Sequence, residues 1–324
     1  VNPSYEGFSR LYIKLQGAED EKIPAKVIGY DSILDLALLK AEVEPPFVLE
    51  LGSSKELSVG DKISAIGAPL GLEGSITSGI VSFTERKLFT TGSVFQIDAP
   101  VNSGNSGGPC IDTNMKVHDI VFAGILDSQG LNFAIPVEFL KQELPYLYEG
   151  GEFNHCWIGC YGRTKKTGKK KTGLEILYVM PGSTSRFCGL SEGDIIYKVN
   201  DVSINSIEDM QSFLRECQPG TISKIFYRNE KSDVNEKLVY LEKRPEKPAV
   251  EVYNSDLVEN SFLPLFGMKL SSVSEFKKRF VVSGIIPASQ ADELSFSEND
   301  TLYIKDIVFD KENKFILAQI VTQR

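Results

Sequence analysis

The sequence predicts a mainly β protein that starts with an antiparallel barrel or sandwich and continues into two smaller α+β domains. The first 144 residues hold many short apolar or alternating segments bounded by Gly, Pro, Asp or Ser, the pattern of short strands joined by turns. Further on, residues 180–196 align without a gap on residues 286–302. This internal copy indicates that the two smaller domains are related to each other.

The strand prediction covers six segments of the first domain, residues 10–15, 25–28, 36–39, 64–67, 79–83 and 120–126. Residues 137–144 follow Pro136 and place Phe139, Leu140 and Leu144 at helical spacing, which predicts a helix. Residues 145–154 include Pro145 and a Gly-Gly pair. They are therefore predicted to be a linker.

Composition is consistent with a globular chain of several domains. The 324 residues are 42% hydrophobic and 24% charged, which is typical of globular proteins, and the length allows two or three cores. The net charge of −9 argues against nucleic acid as a partner. Among five cysteines, only Cys156 and Cys160 are closely spaced, so no metal site is predicted.

The most informative motif is a serine set between glycines, Ser106 in residues 104–109. Glycines permit backbone turns that a side chain would block, and such turns let successive N–H groups converge on a developing oxyanion. Ser106 is therefore the candidate nucleophile. The alternative is a Gly/Asn/Ser turn that only joins two strands.

The segments around this serine resemble a known family. Residues 30–40, 59–69, 76–82 and 132–136 occur in the order and spacing of the protease domain of the HtrA (Deg) family, a branch of the chymotrypsin-like serine proteases. The resemblance extends from about Val1 to Leu144. It implies a chymotrypsin-like double β-barrel over residues 1–145, with Ser106 as nucleophile and Asp35 as the acid that orients a histidine.

The family's catalytic histidine corresponds to a position just before Val1, so this chain is expected to lack it and to contain an incomplete first barrel. The two histidines present, His118 and His155, are interpreted as surface or structural residues. Two explanations stay open: an N-terminally truncated part of a longer protease, or a pseudoprotease that lost its base. The first is favoured because barrel strands are missing together with the histidine.

The resemblance also implies the substrate-facing groups. The oxyanion hole is expected to use the backbone N–H groups of three consecutive residues, Gly104, Asn105 and Ser106. Pro100 stands six residues before the serine, where an acid would select Lys or Arg. With Leu126 and Leu131, Pro100 is expected to form a small apolar S1 pocket for Val, Ala or Ile. Neither a metal nor a cofactor is implied.

Residues 155–244 resemble a PDZ domain of the HtrA type. They contain a strand, a short helix and a Gly-Leu-x-x-Gly-Asp-Ile-Ile motif, and residues 207–217 predict a second amphipathic helix. The family's carboxylate-binding loop corresponds to four residues, Trp157, Ile158, Gly159 and Cys160. This loop is expected to bind peptide C-termini, with the peptide adding as a strand. The alternative is a strand entry with a buried Trp.

Residues 249–324 are predicted to be a second, diverged PDZ-like domain, in which Phe266-Gly267-Met268 stands where the carboxylate-binding loop stood. Ser295 and Asn299 replace two glycines of the first copy, and whether this copy binds peptides stays open. Residues 163–171 form a basic run. It is interpreted as a solvated hairpin tip, with nucleic acid or an anionic membrane as alternatives.

These motifs together predict an HtrA-like serine endopeptidase that degrades misfolded or damaged proteins through an acyl-enzyme, with PDZ domains that bind the C-termini of substrates or activators. The resemblance implies a homo-oligomer, a trimer or a multiple of it, in the periplasm or cell envelope, with an organelle as the alternative. The rival hypothesis is a non-catalytic, peptide-binding chaperone scaffold.

Overall fold

The structure is a computed structural model that describes residues 11–15, 22–68, 74–86, 92–124, 130–229, 231–273, 279–310 and 315–323. The chain divides into two compact units, Val1–Asn154 and His155–Arg324. Within the described ranges, no helix combines the length and the apolar character needed to cross a bilayer.

The first unit is built from ten strands and one long helix within its described residues. In chain order the elements are β1 (Leu11–Ile13), β2 (Ile23–Asp31), β3 (Leu36–Ala41), β4 (Lys62–Gly67), β5 (Ser75–Arg86), β6 (Val94–Ile97), β7 (Pro109–Ile111), β8 (Val117–Gly124), β9 (Asn132–Pro136), α1 (Val137–Glu149) and β10 (Gly151–Glu152).

Six of these strands close into a barrel in the order β4-β5-β6-β9-β8-β7. Alternate side chains of the strands point inward and fill the barrel with small and branched residues, namely Ile63, Ala65, Ile97, Ala99, Cys110, Val121 and Ala134. The other four strands form an open sheet in which β2 pairs with β1, β3 and β10. The predicted fold, a chymotrypsin-like double β-barrel with an incomplete first barrel followed by PDZ-like domains, is confirmed, with one closed barrel and one open sheet within the described residues of this unit.

The predicted linker over residues 145–154 is wrong. Helix α1 continues through Pro145 to Glu149, and β10 then pairs in parallel with β2. Proline removes one helical hydrogen bond, but Leu147 in the following turn is 1% exposed, and its burial stabilises the last turn. The Phe153 N–H donates to the Tyr30 carbonyl at 2.7 Å. The residues after the helix are therefore part of the first unit.

The second unit contains three sheets and five helices within its described residues. In chain order the elements are β11 (Cys156–Trp157), β12 (Cys160–Thr167), β13 (Lys170–Val179), α2 (Thr184–Phe187), β14 (Ile195–Val199), β15 (Val202–Ser203), α3 (Ile207–Glu216), β16 (Ile222–Arg228), β17 (Val234–Tyr240), β18 (Glu242–Lys243), α4 (Pro248–Ser255), α5 (Val258–Phe266), β19 (Met268–Ser272), β20 (Arg279–Ile285), α6 (Gln290–Glu293), β21 (Thr301–Asp310) and β22 (Phe315–Gln323).

The first module of this unit, from β11 to β18, is organised around the sheet β12-β13-β14-β16-β17. Helix α3 covers one face of this sheet and contributes Met210 and Phe213 to the core. The predicted second amphipathic helix is therefore confirmed at residues 207–216. Strand β12 is an edge strand, because β13 is its only partner among the described strands.

The second module, from α4 to β22, is organised around the four-stranded sheet β19-β20-β21-β22. Its core comprises Phe262, Met268, Leu270, Phe280, Val282, Ala291, Leu302 and Ile304. Strands β21 and β22 are joined by residues 311–314 alone. This short connection leaves no room for a counterpart of β15 and α3, which lie between β14 and β16 in the first module.

The turn that is repeated in sequence is also repeated in hydrogen bonding. Ser183 caps α2 and Ser289 caps α6 through the same side-chain bond to the third helical residue. The backbone N–H groups of Ile176 and Val282 donate to the carbonyls of Asp194 and Asp300 in turn. This correspondence indicates that the two modules arose from one structural unit.

The two glycines that the second module lacks are replaced without a change of backbone shape. Ser295 and Asn299 have φ values of 59° and 72°, beside 78° and 91° at Gly189 and Gly193. A left-handed conformation of this kind costs a residue with a side chain about 1 kcal/mol or more. The surrounding hydrogen bonds hold it in place, so the turn persists in the diverged copy.

Candidate active site and peptide-binding loop

Ser106 lies on an exposed turn that enters the closed barrel at β7. The glycines two residues before it and one residue after it, Gly104 and Gly107, have φ values of 107° and 85°. Only glycine adopts such angles at little cost. The Ser106 side chain is therefore presented to solvent rather than packed in the core, as a nucleophile requires.

Backbone hydrogen bonds tie both ends of this turn to the barrel. The Gly107 N–H donates to the Val121 carbonyl at 2.7 Å, and the Val121 N–H donates to the Gly108 carbonyl at 2.9 Å. On the other side, the Ala68 N–H donates to the Gly104 carbonyl at 3.1 Å. The serine turn is thus held by strand β8 and by the end of β4.

A buried asparagine and a distant glycine shape the turn from below. Asn105 is 1% exposed, and its Nδ2 donates to the Pro100 carbonyl at 3.5 Å. A Cβ at Gly67 would lie 2.4 Å from Asn105 Oδ1, which is far inside contact distance. Gly67 at the end of β4 is therefore required for the position of Asn105, a role that its sequence motif did not reveal.

The three predicted oxyanion donors differ in their hydrogen bonding. The Asn105 N–H donates to the Asn102 carbonyl at 3.0 Å within the turn. For the N–H groups of Gly104 and Ser106, the described residues supply no acceptor. In this conformation, two of the three predicted donors are open to a substrate carbonyl, and the third stabilises the turn.

Asp35 lies in the turn before β3, with an exposed side chain and a φ of 57°. A second acid, Asp31, is buried, and its Oδ1 accepts hydrogen bonds from the N–H groups of Ile33 and Leu34 at 2.7 and 3.2 Å. Asp31 shapes the turn that carries Asp35. This turn could have been predicted from the sequence Asp-Ser-Ile-Leu-Asp at residues 31–35, because the side chain of the first Asp can accept hydrogen bonds from the backbone N–H groups two and three residues later.

Both histidines are buried, at 2% exposure for His118 and 4% for His155. Nδ1 of His118 is 2.8 Å from the Ser53 carbonyl oxygen, and its Nε2 is 3.3 Å from Asp112 Oδ2. Polar groups therefore lie close to both ring nitrogens of His118, in the interior of the unit. This agrees with its interpretation as a structural residue.

Of the predicted S1 residues, Pro100 is exposed, Leu131 is half-buried, and Leu126 lies outside the described residues. Two polar residues that the sequence did not single out hold the neighbouring backbone. Asn132 Nδ2 donates to the Ala99 carbonyl at 2.9 Å, and Gln96 Nε2 donates to the Gly130 carbonyl at 3.1 Å. Both side chains are more than nine-tenths buried, so they are structural supports of this region.

In the first module of the second unit, the predicted carboxylate-binding loop connects β11 to β12. Carbonyls of the loop face the module: the Ile158 carbonyl accepts from the Ser185 N–H at 3.1 Å, and the Gly159 carbonyl accepts from the Met180 N–H at 2.9 Å. No described residue accepts a hydrogen bond from the N–H groups of Ile158 and Gly159. Two adjacent N–H groups are therefore available to an anion.

Gly159 is required in this loop for two reasons. Its φ is +75°, and a Cβ at this position would lie 2.1 Å from Ser183 Cβ. Ile158 is buried at 3% exposure, Trp157 and Cys160 are half-buried, and burial raises the pKa of the Cys160 thiol to about 12. Cys160 is therefore a neutral part of the loop rather than a reactive thiolate.

Helix α3 flanks the edge strand that follows the loop. The Ile207 N–H at the start of α3 donates to Thr164 Oγ1 of β12 at 3.1 Å. At the other end of the helix, Cys217 packs in the same core cluster as Cys156, which directly precedes the loop. Helix α3 therefore extends from the middle of β12 back toward the loop.

The corresponding loop in the second module is closed to an anion. The Gly267 N–H caps α5 by donating to the Leu263 carbonyl at 2.9 Å, whereas the N–H of Gly159 has no such acceptor. The second module also lacks a counterpart of α3 between β21 and β22. Its folded core is retained, but the open N–H groups and the flanking helix found in the first module are not.

Comparison with protein families matches residues 5–118 to a trypsin-like peptidase domain. Residues 249–324 match a TP0546 family PDZ domain. The first match covers most of the unit that carries Ser106, and the second covers the second module of the other unit.

Curated relatives include the putative serine protease HhoB of Synechocystis sp. (strain ATCC 27184 / PCC 6803 / Kazusa), which is 31% identical over 264 residues, or 75% of this chain and 59% of that protein. A probable periplasmic serine endoprotease, DegP-like, of Bartonella henselae is 35% identical over 228 residues, or 66% of this chain and 44% of that protein. The chain thus spans about half the length of the curated relatives it matches.

Solved structures give the same result. The HtrA-type protease AlgW with a tripeptide superposes with a TM-score of 0.62 at 26% identity, over 69% of this chain and 79% of that chain. The serine endoprotease from Yersinia pestis gives a TM-score of 0.54 at 26% identity, over 69% of this chain and 77% of that chain.

Proposed function

Because this chain is a homologue of the HtrA and DegP serine proteases, with a trypsin-like peptidase domain and a PDZ domain, we propose that it is the Ser106-bearing part of a serine endopeptidase that cleaves unfolded or damaged proteins. The observation that carries this proposal is the exposed Ser106 on a glycine turn, next to the unengaged N–H groups of Gly104 and Ser106. A turn that merely joined two strands would not need this arrangement.

In the proposed reaction, Ser106 Oγ attacks the carbonyl carbon of a peptide bond and its proton passes to a general base. The oxyanion is stabilised by the N–H groups of Gly104 and Ser106, and the amine leaves with that proton. Water then hydrolyses the ester and restores Ser106. Loss of one oxyanion donor lowers kcat about 10²- to 10³-fold in a comparable protease.

The proposal assigns the general base to a group outside these 324 residues. His118 is buried and engaged with Ser53 and Asp112, and His155 is also buried. Asp35 is assigned the role of orienting that base, since it is exposed on a turn that buried Asp31 holds. Pro100 and Leu131 are proposed to border an S1 pocket for small apolar side chains.

The first module is proposed to capture the C-termini of substrates or activators. The support is the pair of open N–H groups at Ile158 and Gly159, followed by the open edge of β12. A peptide carboxylate accepts from such groups, and the peptide extends the sheet as an added strand. A periplasmic or envelope location is proposed because relatives are named periplasmic endoproteases. Homo-oligomerisation is proposed on the family resemblance alone.

The test is labelling with a fluorophosphonate, which modifies an activated serine, applied to the full-length protein and to this 324-residue chain. We expect labelling of the full-length protein, loss of that labelling in Ser106→Ala, and weak or no labelling of the chain alone. Ser103→Ala, on the same exposed turn, is the matched control and keeps its label.

Absence of labelling in the full-length protein, together with retained binding of peptide C-termini, would overturn the protease proposal. That result would favour the non-catalytic scaffold. The burial of both histidines is the observation that keeps the scaffold as the second candidate.

A further inference from the structure

The β12–β13 hairpin of the first module carries a charge opposite to that of the whole chain. We call residues 163–171 the basic hairpin: six of these nine residues are Arg or Lys, in a chain with a net charge of −9. Gly168, with a φ of 61°, starts its two-residue turn, as in a type II′ hairpin. The hairpin predicted from the sequence is present, but a hairpin turn does not by itself account for the clustering of basic side chains on it.

Only part of the positive charge is neutralised by the fold. Arg163 Nε and Lys165 Nζ lie 2.8 and 2.5 Å from the buried Glu175 carboxylate. Although burial would raise the pKa of Glu175, hydrogen bonds from Lys165 and Arg163 hold it below its usual value. These two cations are thus committed to one anion on one face of the sheet.

The other lysines of the basic hairpin have fewer acidic partners within the described residues. Lys171 Nζ lies 3.6 Å from Glu208 Oε2 of α3. For the exposed residues Lys166, Lys169 and Lys170, no ion pair occurs among the described residues. Lys166 is directly opposite Lys171 in the β12–β13 ladder, and like charges opposite each other destabilise a sheet. The Lys166–Lys171 pair does not stabilise the sheet. An anionic partner that binds beside these two lysines would relieve the repulsion between them.

The unneutralised lysines lie at the far end of the strand that begins at the carboxylate-binding loop. A peptide whose terminal carboxylate binds at Gly159 must extend along β12 in the opposite direction. Lys166 lies six residues beyond Cys160. Because an added strand pairs one residue with one residue, the hairpin meets the peptide about six residues before its terminus.

We propose that the basic hairpin selects C-terminal segments that carry acidic residues about five to nine positions before the terminal residue. This inference rests on the proposed capture of C-termini by the first module. The loop binds the terminal carboxylate, β12 pairs with the last few residues, and Lys166, Lys169 and Lys170 attract the acidic block upstream. The net negative charge of the chain repels acidic segments in general. The basic hairpin attracts them locally, to the edge of β12.

An acidic peptide fits this surface better than nucleic acid or a membrane does. The hairpin contains no aromatic residue on which a base could stack. Its cations continue a strand edge rather than forming a broad patch, and an added strand is what that edge can bind. A polypeptide supplies both the strand and the anionic side chains.

The experiment measures fluorescence anisotropy of two labelled peptides with the 324-residue chain. Both peptides end in the same apolar residues with a free carboxylate. One has four acidic residues at positions five to eight before the terminal residue, and the other has Asn and Ser there. We expect the acidic peptide to bind about three- to thirtyfold more tightly at low ionic strength, with the difference shrinking at high salt.

The triple variant Lys166→Gln/Lys169→Gln/Lys170→Gln is expected to bring the affinity ratio of the two peptides to about one. The matched control replaces three lysines on β16, β17 and the turn between them, at the opposite side of the sheet. That variant, Lys224→Gln/Lys231→Gln/Lys237→Gln, is expected to keep the ratio. An amidated acidic peptide is expected to bind weakly, since the loop then has no carboxylate.

Each other outcome is informative. Equal affinity of wild-type protein for both peptides would overturn this inference and leave C-terminal capture intact. Binding of neither peptide would overturn both. Stronger binding of a single-stranded oligonucleotide, or of vesicles of phosphatidylglycerol and phosphatidylcholine in equal parts, that is lost in the triple variant would assign the hairpin to that partner instead.

Discussion

Ser106 is exposed because residues outside its own motif support its turn. Asn105 is buried beneath it, Gly67 leaves the space that Asn105 Oδ1 occupies, and a Cβ at Gly108 would lie 2.0 Å from the Ile66 carbonyl oxygen. The glycines of β4 and of the serine motif therefore form one packing unit. A sequence motif identifies the candidate nucleophile, but neighbours brought close by the barrel give it its position.

A second residue-scale feature is Asp119 of β8, which is completely buried. Burial, with a smaller contribution from the charge of Glu138, raises the pKa of its carboxyl well above its usual value. The folded state therefore holds a proton that the unfolded state releases above about pH 4. Stability falls as pH rises from there toward the folded-state pKa, by up to about 1.4 kcal/mol per pH unit.

We predict that Asp119→Asn removes this pH dependence, because the amide has no proton to lose. The measurement is hydrogen exchange of β8 peptides between pH 5 and pH 8, corrected for the intrinsic effect of pH on exchange. Glu138→Gln is the control, and its effect on stability is expected to depend on pH in the opposite direction. Hydrogen bonds from Ser53 and Ser54 lower the pKa of Glu138 although burial alone would raise it, so this variant loses stability mainly above its unfolded pKa. The prediction would be contradicted if the stability of Asp119→Asn changed with pH as steeply as that of the wild-type protein.

At the scale of elements, α3 has a strong N-terminal cap and flanks the edge strand β12, where peptide binding is proposed. Ser206 Oγ accepts from the Asp209 N–H at 3.2 Å, and Asp209 Oδ2 accepts from the Ser206 N–H at 3.1 Å. This capping box satisfies donors that would otherwise be unpaired at the helix start. It also fixes the helix next to Thr164 of β12.

Ser206→Ala is predicted to destabilise the second unit by about 1 kcal/mol and to weaken binding of C-terminal peptides. Urea unfolding followed by fluorescence of Trp157, the single tryptophan of the chain, measures the first effect. Ser203→Ala, at an exposed position of β15, is expected to change neither stability nor binding. A loss of stability in both variants would show that the cap is not its cause.

Helix α1 illustrates why local signals misplace the ends of elements. Pro145 indicates an end, since the ring removes a donor and crowds the preceding turn. Leu147 and Phe139 pack inside the first unit, and this burial outweighs the lost hydrogen bond. In contrast, α3 was predicted correctly because its cap and its apolar spacing agree with its tertiary contacts.

At the scale of the whole second unit, an apolar cluster joins the two modules. Tyr178 of β13 packs with Val252 of α4 and Leu263 of α5, and its hydroxyl donates to Asp256 Oδ2 at 2.9 Å. The phenol pKa is raised by burial and by this carboxylate. Helices α4 and α5, at the start of the second module, thus pack against the first module rather than forming a free linker.

Leu263→Ala is predicted to lower the free energy of unfolding of this unit by about 2–3 kcal/mol, because Leu263 is 8% exposed and its removal leaves a cavity. Leu257→Ala, six residues earlier at 65% exposure, is predicted to cost less than about 0.5 kcal/mol. Trp157 lies in the first module, so its fluorescence reports whether the effect crosses from one module to the other. Equal effects of the two substitutions would contradict this account.

The sequence by itself determined three of the six barrel strands (β4, β5 and β8), helix α3, the serine turn and the duplicated module, because each depends on local signals: turn glycines, alternation of apolar residues, capping residues and a repeated motif. Only the tertiary structure decided which groups those signals leave open. Gly159 and Gly267 have similar neighbours in sequence, yet one N–H is open and the other caps α5. The reason is physical: whether a hydrogen-bond donor is available depends on which residues folding brings next to it, and distant residues of the chain supply them.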